Sequence, residues 1–464
     1  MKFLYRRLIL PAVVFLFICQ TVAMAAGTMT LSGVRFGPGS DRDRIVLDLD
    51  QIPEYSVRTE NDGRRIVLEF PSLQDRAVKP AISSDTITQV SWQKTANGLQ
   101  MIIDLKSKTA YKVDQLQNPA RVFIDISKES ESFEKDEPAP GLVRTKYIRR
   151  DGRGMLTAWL LDVDLHSYDL RLALGNESIA AGRQRLSGIS DDYRAMAAIN
   201  ANYFNLNGEL IGLARMEGQT VGTVYYIRTT LGIMPDGSLR IVPAGYSGQV
   251  TINGVTVPVA GVDVERGENN LTLYNKFYGS STQTNEYGQE YTVRNGRVVS
   301  IQTADSPIPA DGLIISVHGT SKDAFANVKV GDAVNVQEDY GKELAGAATV
   351  IGGGPTLVKD GQVLVTAREE QFPSDIAHGR APRTAVGILP NHHALLAVVD
   401  GRQSHSIGCT LTELGALMKK FGATDALNFD GGGSSEMVVG GQIQNSPSDG
   451  SERPVGSAII VVKK

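Results

Sequence analysis

The sequence contains few of the residues that build disulfide frameworks or metal sites. Among 464 residues there are 2 cysteines and 6 histidines, and aromatic residues make up only 6%. So few cysteines exclude a disulfide-rich scaffold and a cysteine-rich zinc site. The formal net charge is −4, and this weakly acidic balance argues against nucleic acid as a partner. With 42% apolar and 21% charged residues, the composition is that of a globular protein, and the length favours two or three domains.

Long hydrophobic runs are also scarce, and the one at the N-terminus is short. Three basic side chains in the first seven residues precede an apolar run from Leu8 to Val22 and an Ala-Met-Ala sequence at 23–25. This order predicts a secretory signal peptide over residues 1–25. The alternative is a retained anchor, but the run contains Pro11 and is shorter than the roughly 20 apolar residues that a spanning helix needs.

Cleavage of this segment would change the chain in two ways. It would remove three cations and so shift the net charge from −4 to −7, and it would remove Cys19. Cys409 would then be the only cysteine, which excludes an intrachain disulfide and favours a packed small residue over a nucleophile. We therefore expect an exported protein, periplasmic, envelope-associated or extracellular, without a stable transmembrane anchor.

Residues 28–128 have the pattern of an all-β domain. Four segments, 44–50, 65–70, 99–105 and 121–126, alternate polar and apolar residues as strands with one buried face do. No helical pattern interrupts them, and the segment therefore predicts a β-sandwich. Because it contains no convergent nucleophile, base or metal cluster, binding is favoured over catalysis.

Residues 129–140 predict an exposed linker. They contain five acidic residues against one lysine and end in Pro-Ala-Pro, a composition that is self-repelling and stiffened by proline. From 141 to 464 strands and helices mix, which predicts a second domain of the α+β type. Its clearest helix is Thr410 to Phe421, where Thr410 and Glu413 form a capping box.

Four polar clusters lie at the ends of apolar strands in this second domain. Asn202 lies in the first, the Asn-Ala-Asn-Tyr-Phe-Asn cluster at residues 200–205, and could orient sugar hydroxyls or hold a turn. Arg383 lies in the second, at residues 378–387 and just before an apolar strand, and its rigid donor fork matches two phosphate oxygens. Asp400 and Arg402 form the third, which could equally be a turn.

The fourth cluster carries the most chemistry. Asp430 ends an apolar strand and is followed by Gly431, Gly432 and Gly433, and then by Ser434, Ser435 and Glu436. Successive glycine N–H groups can form an anion-binding nest, and the two hydroxyls add donors. The carboxylates can transfer protons or bind a divalent cation, and a cation at Asp430 stays a possibility. The alternative is a flexible turn. No P-loop, Gly-x-Ser-x-Gly or His-Glu-x-x-His motif accompanies the cluster.

The first domain resembles the AMIN domain of exported bacterial proteins that act at the cell wall. The resemblance lies in repeated Arg-Ile-Val-Leu-Asp-type strands and in the segment Gln117 to Ile126. It implies that residues 28–128 bind peptidoglycan or a related envelope glycan.

The second domain resembles the phosphodiester glycosidase family. Six motifs occur in the family's order, at 382–387, 400–402, 410–414, 426–435, 445–450 and 452–454. The resemblance implies hydrolysis of a sugar-1-phosphodiester, such as an N-acetylglucosamine-1-phosphodiester, to a free sugar and a phosphomonoester. Asp430, Arg383 and Asn202 are then the expected catalytic residues. The expected substrate-binding residues are Gly431, Gly432, Gly433, Ser434, Ser435, Arg453, Asp400 and Arg402. Glu436 stands where many relatives have a smaller hydroxyl residue.

Two other functions stay open at the level of sequence. One is a non-catalytic protein that binds a cell-wall polymer or exopolysaccharide, and the other is a lytic enzyme for peptidoglycan itself. A phosphodiester-linked glycan is the expected substrate, no cofactor is required with certainty, and nucleic acid is not an expected partner.

Overall fold

The structure is a computed structural model that describes residues 29–39, 41–74, 81–96, 98–151, 153–223 and 226–464. The signal peptide expected at residues 1–25 lies outside these ranges. Within them, no helix has both the length and the apolar character required to span a membrane. The chain divides into two units, the first ending at Lys128 and the second running from Glu129 to Lys464.

The first unit is built from two β-sheets around one apolar core. The order is β5-β1-β2-β9-β8 in one sheet and β3-β4-β7-β6 in the other. Alternate residues point inward, as in β7, where Leu99, Met101, Ile103 and Leu105 are buried. The strands are β1 (Met29–Pro38), β2 (Arg42–Leu49), β3 (Ser56–Glu60), β4 (Arg65–Phe70), β5 (Leu73–Gln74), β6 (Ile87–Thr95), β7 (Gly98–Leu105), β8 (Tyr111–Leu116) and β9 (Arg121–Ser127).

The second unit contains most of the strands and all four α-helices of the described residues. The helices are α1 (Leu186–Asp192), α2 (Thr320–Ala324), α3 (Ser374–His378) and α4 (Leu411–Lys420). The strands are β10 (Ser130–Ala139), β11 (Leu142–Asp151), β12 (Gly154–Asp164), β13 (Tyr168–Leu174), β14 (Ala197–Asn200), β15 (Tyr203–Phe204), β16 (Leu210–Ile211), β17 (Ala214–Met216), β18 (Gln219–Gly222), β19 (Arg228–Ile233), β20 (Leu239–Ala244), β21 (Ser247–Ile252), β22 (Val255–Pro258), β23 (Gly261–Val262), β24 (Leu271–Tyr274), β25 (Gln289–Arg294), β26 (Arg297–Gln302), β27 (Gly312–Val317), β28 (Val334–Asp339), β29 (Thr349–Gly352), β30 (Thr356–Lys359), β31 (Gln362–Val363), β32 (Arg383–Leu389), β33 (His393–Val399), β34 (Asp425–Asn428), β35 (Met437–Val439), β36 (Gln442–Ile443) and β37 (Ser457–Lys463).

Two sheets of the second unit position the candidate site. The larger has the order β10-β11-β12-β33-β32-β34-β30-β31, and the other has the order β13-β37-β14-β35-β36. Their inward faces share a core that includes Val386, Leu396 and Leu427 from the first sheet and Ile199 and Ile459 from the second. The predicted multidomain architecture, a β-domain followed by a domain that mixes strands and helices, is confirmed, with strands predominating.

The predicted linker at 129–140 is wrong. Residues 130–139 form β10, an exposed edge strand that pairs with β11. Its acidic side chains do not keep the segment apart, because cations lie opposite them: Arg144 pairs with Asp136 at 2.5 Å and Lys146 with Glu134 at 3.7 Å. Opposite charges facing each other across two strands stabilise their pairing.

The predicted helix at 410–421 is confirmed as α4. Thr410 is its N-cap, and the capping box with Glu413 is present in both directions. Leu411, Leu414 and Met418 are buried on one face, as their spacing predicted.

Candidate active site

The larger sheet brings one arginine and two carboxylates that the sequence predicted to the same end of three neighbouring strands. Ala385 of β32 pairs with Asn428 of β34, and Arg383 of the same strand pairs with Val399 of β33. The end of β34, the start of β32 and the end of β33 therefore lie side by side. Asp430 comes just after β34, Arg383 begins β32, and Asp400 comes just after β33.

The glycine cluster lies in a tight turn that comes after β34. Gly432 has φ of +64°, a conformation that favours glycine, and its N–H donates to the Pro382 carbonyl at 3.0 Å. A short 3₁₀ turn spans Gly432–Ser434. The N–H of Ser434 donates to the Gly431 carbonyl at 3.3 Å. The loop is thus ordered by its own backbone bonds and by the chain that leads into β32.

Asp430 is anchored by the second sheet. Its N–H donates to the Ala201 carbonyl at 3.1 Å, and its carbonyl accepts a hydrogen bond from Asn200 Nδ2 at 2.7 Å. The carboxylate Oδ1 accepts the Gly431 N–H at 3.0 Å. Burial raises the pKa of Asp430 to about 6, against the opposing effects of the Ser434 hydroxyl, of that N–H and of the positive charge of Arg453. This carboxyl therefore titrates close to neutral pH, as a general acid or base should.

Three arginines lie against the three glycines in turn. A Cβ on Gly433 would lie 2.1 Å from Arg453 Nη2, and one on Gly432 would lie 3.4 Å from Arg402 Nη1. Beside Gly431, the nearest atom of Arg383 is its Cδ at 3.8 Å from the corresponding position. Only the absence of a side chain lets the Arg453 guanidinium pack on the loop. Guanidinium groups so close to the loop can donate to the oxygens of a phosphate group.

Arg383 is buried and partly engaged by the protein. It is 3% exposed, and its Nη2 donates to the carbonyls of Ile376 at 3.0 Å and Gly379 at 2.7 Å. Its Nε donates to the Cys409 carbonyl at 3.3 Å. Within the described part of the chain, Nη1 donates to no protein acceptor. Burial lowers the pKa of Arg383, so the guanidinium is desolvated and fixed in orientation.

Arg453 and Arg402 differ in how they are held. Arg453 forms an ion pair with Asp449 at 2.6 Å and is half-buried. Arg402 is exposed and adopts φ of +59°. The structure thus brings both residues to the loop, as the sequence predicted.

The loop also holds buried polar atoms that have no partner. Among the described residues, Ser435 Oγ and Asn428 Oδ1 are buried without a hydrogen bond. Because an unpaired buried polar group costs about 1–3 kcal/mol, such a cluster is unusual in a merely structural turn. Ordered water or a bound ligand would complete the hydrogen bonds of these atoms.

Asp400 lies at the same sheet edge but is occupied by the protein. Its Oδ1 accepts the Ser446 N–H at 2.9 Å and Asn445 Nδ2 at 3.2 Å, and its Oδ2 lies 3.4 Å from His405 Nε2. Asn445 Nδ2 also donates to the Ser435 carbonyl at 3.0 Å. Burial raises the pKa of Asp400. Asp400 therefore stabilises the loop through Asn445, and these contacts do not fit the substrate-binding role that the sequence predicted.

The catalytic role predicted for Asn202 is not compatible with its contacts. Its Nδ2 donates to the Gly352 carbonyl at 3.0 Å, and its Oδ1 accepts from Ser457 Oγ at 3.1 Å. The side chain is 1% exposed. With both ends of the carboxamide bonded inside the protein, Asn202 holds strands together and does not orient a sugar.

Two residues that the sequence argument missed support the site directly. Asn200, two positions earlier, bonds to Asp430 as described above. The Tyr203 hydroxyl accepts from Asn428 Nδ2 at 2.9 Å and donates to the Gly354 carbonyl at 3.1 Å. Burial and the negative charge of Asp430 raise the pKa of Tyr203. Both residues belong to the Asn-Ala-Asn-Tyr cluster, so the signal was present but was assigned to Asn202.

Glu436 is a second buried carboxyl beside the loop. It is 2% exposed, and its Oε1 has no hydrogen-bond partner among the described residues. Burial and the neighbouring negative charge of Glu452 together raise its pKa to about 8. At neutral pH this side chain is therefore mostly protonated.

The described residues contain no cluster of metal ligands. No three histidine, cysteine, aspartate or glutamate side chains in these ranges lie close enough together to hold a metal ion.

Comparisons with known families match both domains. Residues 287–462 match the phosphodiester glycosidase family, and residues 33–114 match the AMIN domain. Both resemblances predicted from the motifs are thereby confirmed.

Two curated relatives and one solved structure are similar to this chain. The SPbeta prophage-derived uncharacterized protein YomE of Bacillus subtilis (strain 168) is 27% identical over 177 residues, which are 36% of this chain and 26% of that protein. The N-acetylglucosamine-1-phosphodiester alpha-N-acetylglucosaminidase of Mus musculus is 28% identical over 163 residues, 34% of this chain and 30% of that protein. The chain thus spans less than a third of either relative. A crystal structure of a hypothetical protein from Synechocystis has 22% identity and a TM-score of 0.64, covers 94% of this chain and 81% of its own, and shares the fold.

Proposed function

Because the chain carries an AMIN domain and a phosphodiester glycosidase domain, we propose that it is an exported hydrolase of a sugar-1-phosphodiester. The substrate would be a glycan of the N-acetylglucosamine-1-phosphodiester kind, and the products a free sugar and a phosphomonoester. The name of the mouse relative describes an activity of this class. The observation that carries the proposal is the buried Asp430 beside a glycine loop that lies against three arginines and leaves the buried Ser435 hydroxyl unpaired.

The arginines and the loop would hold the phosphodiester. Arg453, Arg402 and the free Nη1 of Arg383 would offer donors to the phosphate oxygens, and the Ser435 hydroxyl would offer one more. Donors fixed in advance around the developing charge of a leaving group stabilise the transition state without reorganising. As the bond from the sugar to phosphate breaks, the phosphate gains charge, which these groups offset.

Asp430 would act on the sugar side. Its carboxylate takes a proton from water as the water oxygen bonds to the anomeric carbon, and the bond from that carbon to the phosphate oxygen breaks. The electron pair of the broken bond stays with the phosphate, which leaves as a phosphomonoester. The Asp430 pKa of about 6 keeps most of this carboxyl ionised at neutral pH while leaving it basic enough to accept the proton.

The experiment is a comparison of Asp430→Asn with Asp425→Asn on an N-acetylglucosamine-1-phosphodiester. Asp425 begins the same strand that Asp430 follows and pairs with Lys359 at 2.9 Å, so it is a matched carboxylate at the far end. Loss of a general base typically lowers turnover by about 10²–10⁴-fold. We expect that loss in Asp430→Asn and near-normal turnover in Asp425→Asn. Full activity of a folded Asp430→Asn protein would refute the assignment.

The AMIN domain is typical of periplasmic and secreted proteins, and we propose that it binds peptidoglycan or a related envelope glycan. Its outer strand faces carry paired charges, such as Arg44 with Asp125 at 2.5 Å and Arg65 with Asp104 at 2.7 Å. We expect the full chain to sediment with purified peptidoglycan, and Asp430→Asn to sediment equally. A full chain that stays in solution at all peptidoglycan concentrations would contradict this part of the proposal.

A further inference from the structure

A cleft lies at the β10 edge of the larger sheet, away from the glycine loop. Its volume is about 470 Å³, within the range of about 300–1,000 Å³ that is usual for small-molecule sites. One wall is the start of β10 with the residue before it, and the other is the end of β11 with the turn that follows. The charged residues that line it are Glu129, Glu131, Arg149, Arg150, Asp151 and Arg153.

This cleft is separate from the candidate active site. In the order β11-β12-β33-β32-β34, the strand that precedes Asp430 is the fourth neighbour from β11. Adjacent strands are about 4.8 Å apart, so the cleft and β34 are roughly 20 Å apart across the sheet. A ligand in the cleft therefore does not occupy the space around Asp430.

The end of β11 presents guanidinium groups in fixed positions. Asp151 Oδ2 lies 2.9 Å from Arg149 Nε and accepts Arg153 Nε at 3.1 Å. Arg153 Nη1 also donates to Glu413 Oε1 of α4 at 2.7 Å. Since both arginines are held by carboxylates, a ligand would meet donors that are already oriented.

Other donors in the cleft are not used by the protein. Within the described part of the chain, Arg150 forms no ion pair, and its Nη2 lies 3.5 Å from the weak acceptor Met155 Sδ. Arg149 Nη2 is buried and has no hydrogen-bond partner among the described residues. Ion pairing between strands accounts for Asp151 and Arg153 but gives no reason for Arg150.

The opposite wall supplies an acceptor. Glu131 accepts a hydrogen bond from the Tyr147 hydroxyl at 2.7 Å and pairs with Lys420. The Lys420 ammonium and the Tyr147 hydroxyl lower the pKa of Glu131, so its carboxylate is ionised at neutral pH.

An exposed aromatic ring lies beside this acceptor. Phe133 follows Glu131 by two positions in β10, which places both side chains on the same face of the sheet. The ring is 53% exposed, yet it is held by Tyr147 and Phe421, whose ring centres lie 5.2 and 6.0 Å away. The cleft is thus bordered by a fixed apolar surface that is open to solvent.

This combination matches a neutral saccharide. The lining has three guanidinium and three carboxylate groups, so it has no net charge and offers both donors and acceptors. A sugar hydroxyl both donates and accepts, and the C–H groups on the face of a sugar ring can pack on an aromatic side chain.

Other occupants fit the cleft less well. A polyanion would meet the three carboxylates and a polycation the three guanidinium groups, and like charges repel. An acyl chain would remove these charged groups from water without hydrogen bonds, which is costly.

We propose that the cleft formed by residues 129–131, 149–151 and 153 binds a neutral saccharide, with Phe133 as the platform for one sugar ring. The site goes beyond the proposed hydrolysis, because it holds a glycan roughly 20 Å from β34 and binds it whether or not a bond is cleaved. A glycan long enough to reach both places gains affinity, since binding at one raises its effective concentration at the other.

The test is hydrogen exchange of the full chain, followed by mass spectrometry, with chitotetraose, cellotetraose and maltotetraose. None of the three contains a phosphodiester, so the proposed hydrolysis does not consume them. We expect at least one to slow exchange of the backbone N–H groups in peptides that cover residues 129–151. The dependence of this protection on saccharide concentration gives a Kd for the cleft alone.

Two variants and a control make the test specific. We expect Phe133→Ala and Arg150→Met each to raise that Kd about tenfold, the first by removing the platform and the second by removing donors while keeping an apolar stem. Arg150→Met also serves as the test if Phe133→Ala does not fold. Tyr287→Ala should leave the Kd unchanged, since Tyr287 is exposed but does not line the cleft.

Three results would overturn the proposal. They are no protection of residues 129–151 by any of the saccharides, protection confined to residues 33–114, and an equal Kd in the wild type, Phe133→Ala and Arg150→Met. The proposed hydrolysis fails separately: a protein that cleaves the phosphodiester without this protection lacks only the saccharide site, and one that shows the protection without cleavage lacks only the activity.

Discussion

Asn200 and Asp430 lie at the ends of strands in two different sheets, and the Asn200 Nδ2 donates to the Asp430 carbonyl at 2.7 Å. The Asn200 Oδ1 accepts from Thr384 Oγ1 at 2.6 Å and from the Glu436 N–H at 3.2 Å. One carboxamide thus connects the strand of Arg383, the residue Asp430 and the end of the glycine loop. The position of the candidate base depends on the packing of the two sheets.

Asn200→Ala should therefore impair catalysis more than binding. The substitution leaves three buried partners unsatisfied, at about 1–3 kcal/mol each, and frees Asp430 to move. We expect kcat to fall at least about tenfold with KM changed little, because Asn200 is a positioning residue for Asp430.

Asn202→Ala is the matched control for that variant. It also removes buried hydrogen bonds, to Gly352 and Ser457, but none to Asp430. We expect a similar fall in melting temperature with kcat of the folded protein nearly normal. If the two variants lose kcat equally, Asn200 has no positioning role beyond stability.

The pH dependence of turnover should report the Asp430 carboxyl. Its pKa is raised to about 6 by burial, and the ionised form is the base. We expect kcat/KM to rise about tenfold per pH unit below that value and to level off above it. A profile that stays flat from pH 4.5 to 7.5 would be inconsistent with a base of this pKa.

Gly433→Ala should weaken phosphate binding without unfolding the domain. A Cβ there would lie 2.1 Å from Arg453 Nη2 and 2.3 Å from Asp449 Oδ2, the far ends of two mobile side chains. These can move aside, which displaces the Arg453 guanidinium from the loop. We expect a rise in KM of about tenfold, since a charge-assisted hydrogen bond contributes roughly 1.5–3 kcal/mol.

Gly431→Ala provides the contrast. Its Cβ would lie 2.9 Å from the Pro382 carbonyl, which is backbone and cannot swing away. We expect a clear loss of thermal stability in this variant and a small one in Gly433→Ala. Equal melting temperatures, measured by scanning calorimetry, would show that the loop is more plastic than its hydrogen bonds indicate.

Glu436 should make the folded protein less stable in alkaline solution. Its pKa is raised from 4.5 to about 8 in the folded state, so the native state binds more protons than the unfolded state between those values. The stability that this group contributes is complete below pH 4.5 and is lost as the pH rises through about 8. Glu436→Gln should therefore gain stability relative to the wild type at pH 9, by a few degrees in melting temperature, and show no such gain at pH 4. A gain of the same size at both pH values would mean that the effect is not ionisation.

Much of this structure was predictable from short-range pattern. The strand at 65–70 and the helix after Thr410 appear where alternation and the capping box predicted them, because each pattern is complete within one segment. The glycine loop was found for the same reason, since Asp430 and its glycines are adjacent in sequence.

The predictions that failed depended on contacts between residues that are far apart in sequence or on packing between strands. The acidic run at 129–140 forms a strand because Arg144 and Lys146 lie opposite it, which its own composition does not reveal. Asn200 and Asn202 are equally polar, and only the packing of β14 against its neighbours decides which amide reaches Asp430. A cleft lined by Ile211 of β16, Arg228 of β19 and Glu265 is built from segments far apart in sequence, so no local motif marked it.

Product analysis of the wild-type protein with an N-acetylglucosamine-1-phosphodiester tests the central claim most directly. Nuclear magnetic resonance of ¹H and ³¹P follows the sugar and the phosphate together. We predict equal amounts of free N-acetylglucosamine and of the phosphomonoester of the leaving group, with neither formed by Asp430→Asn. An unchanged diester after prolonged incubation with a protein that binds it would contradict the account and identify a non-catalytic glycan-binding protein.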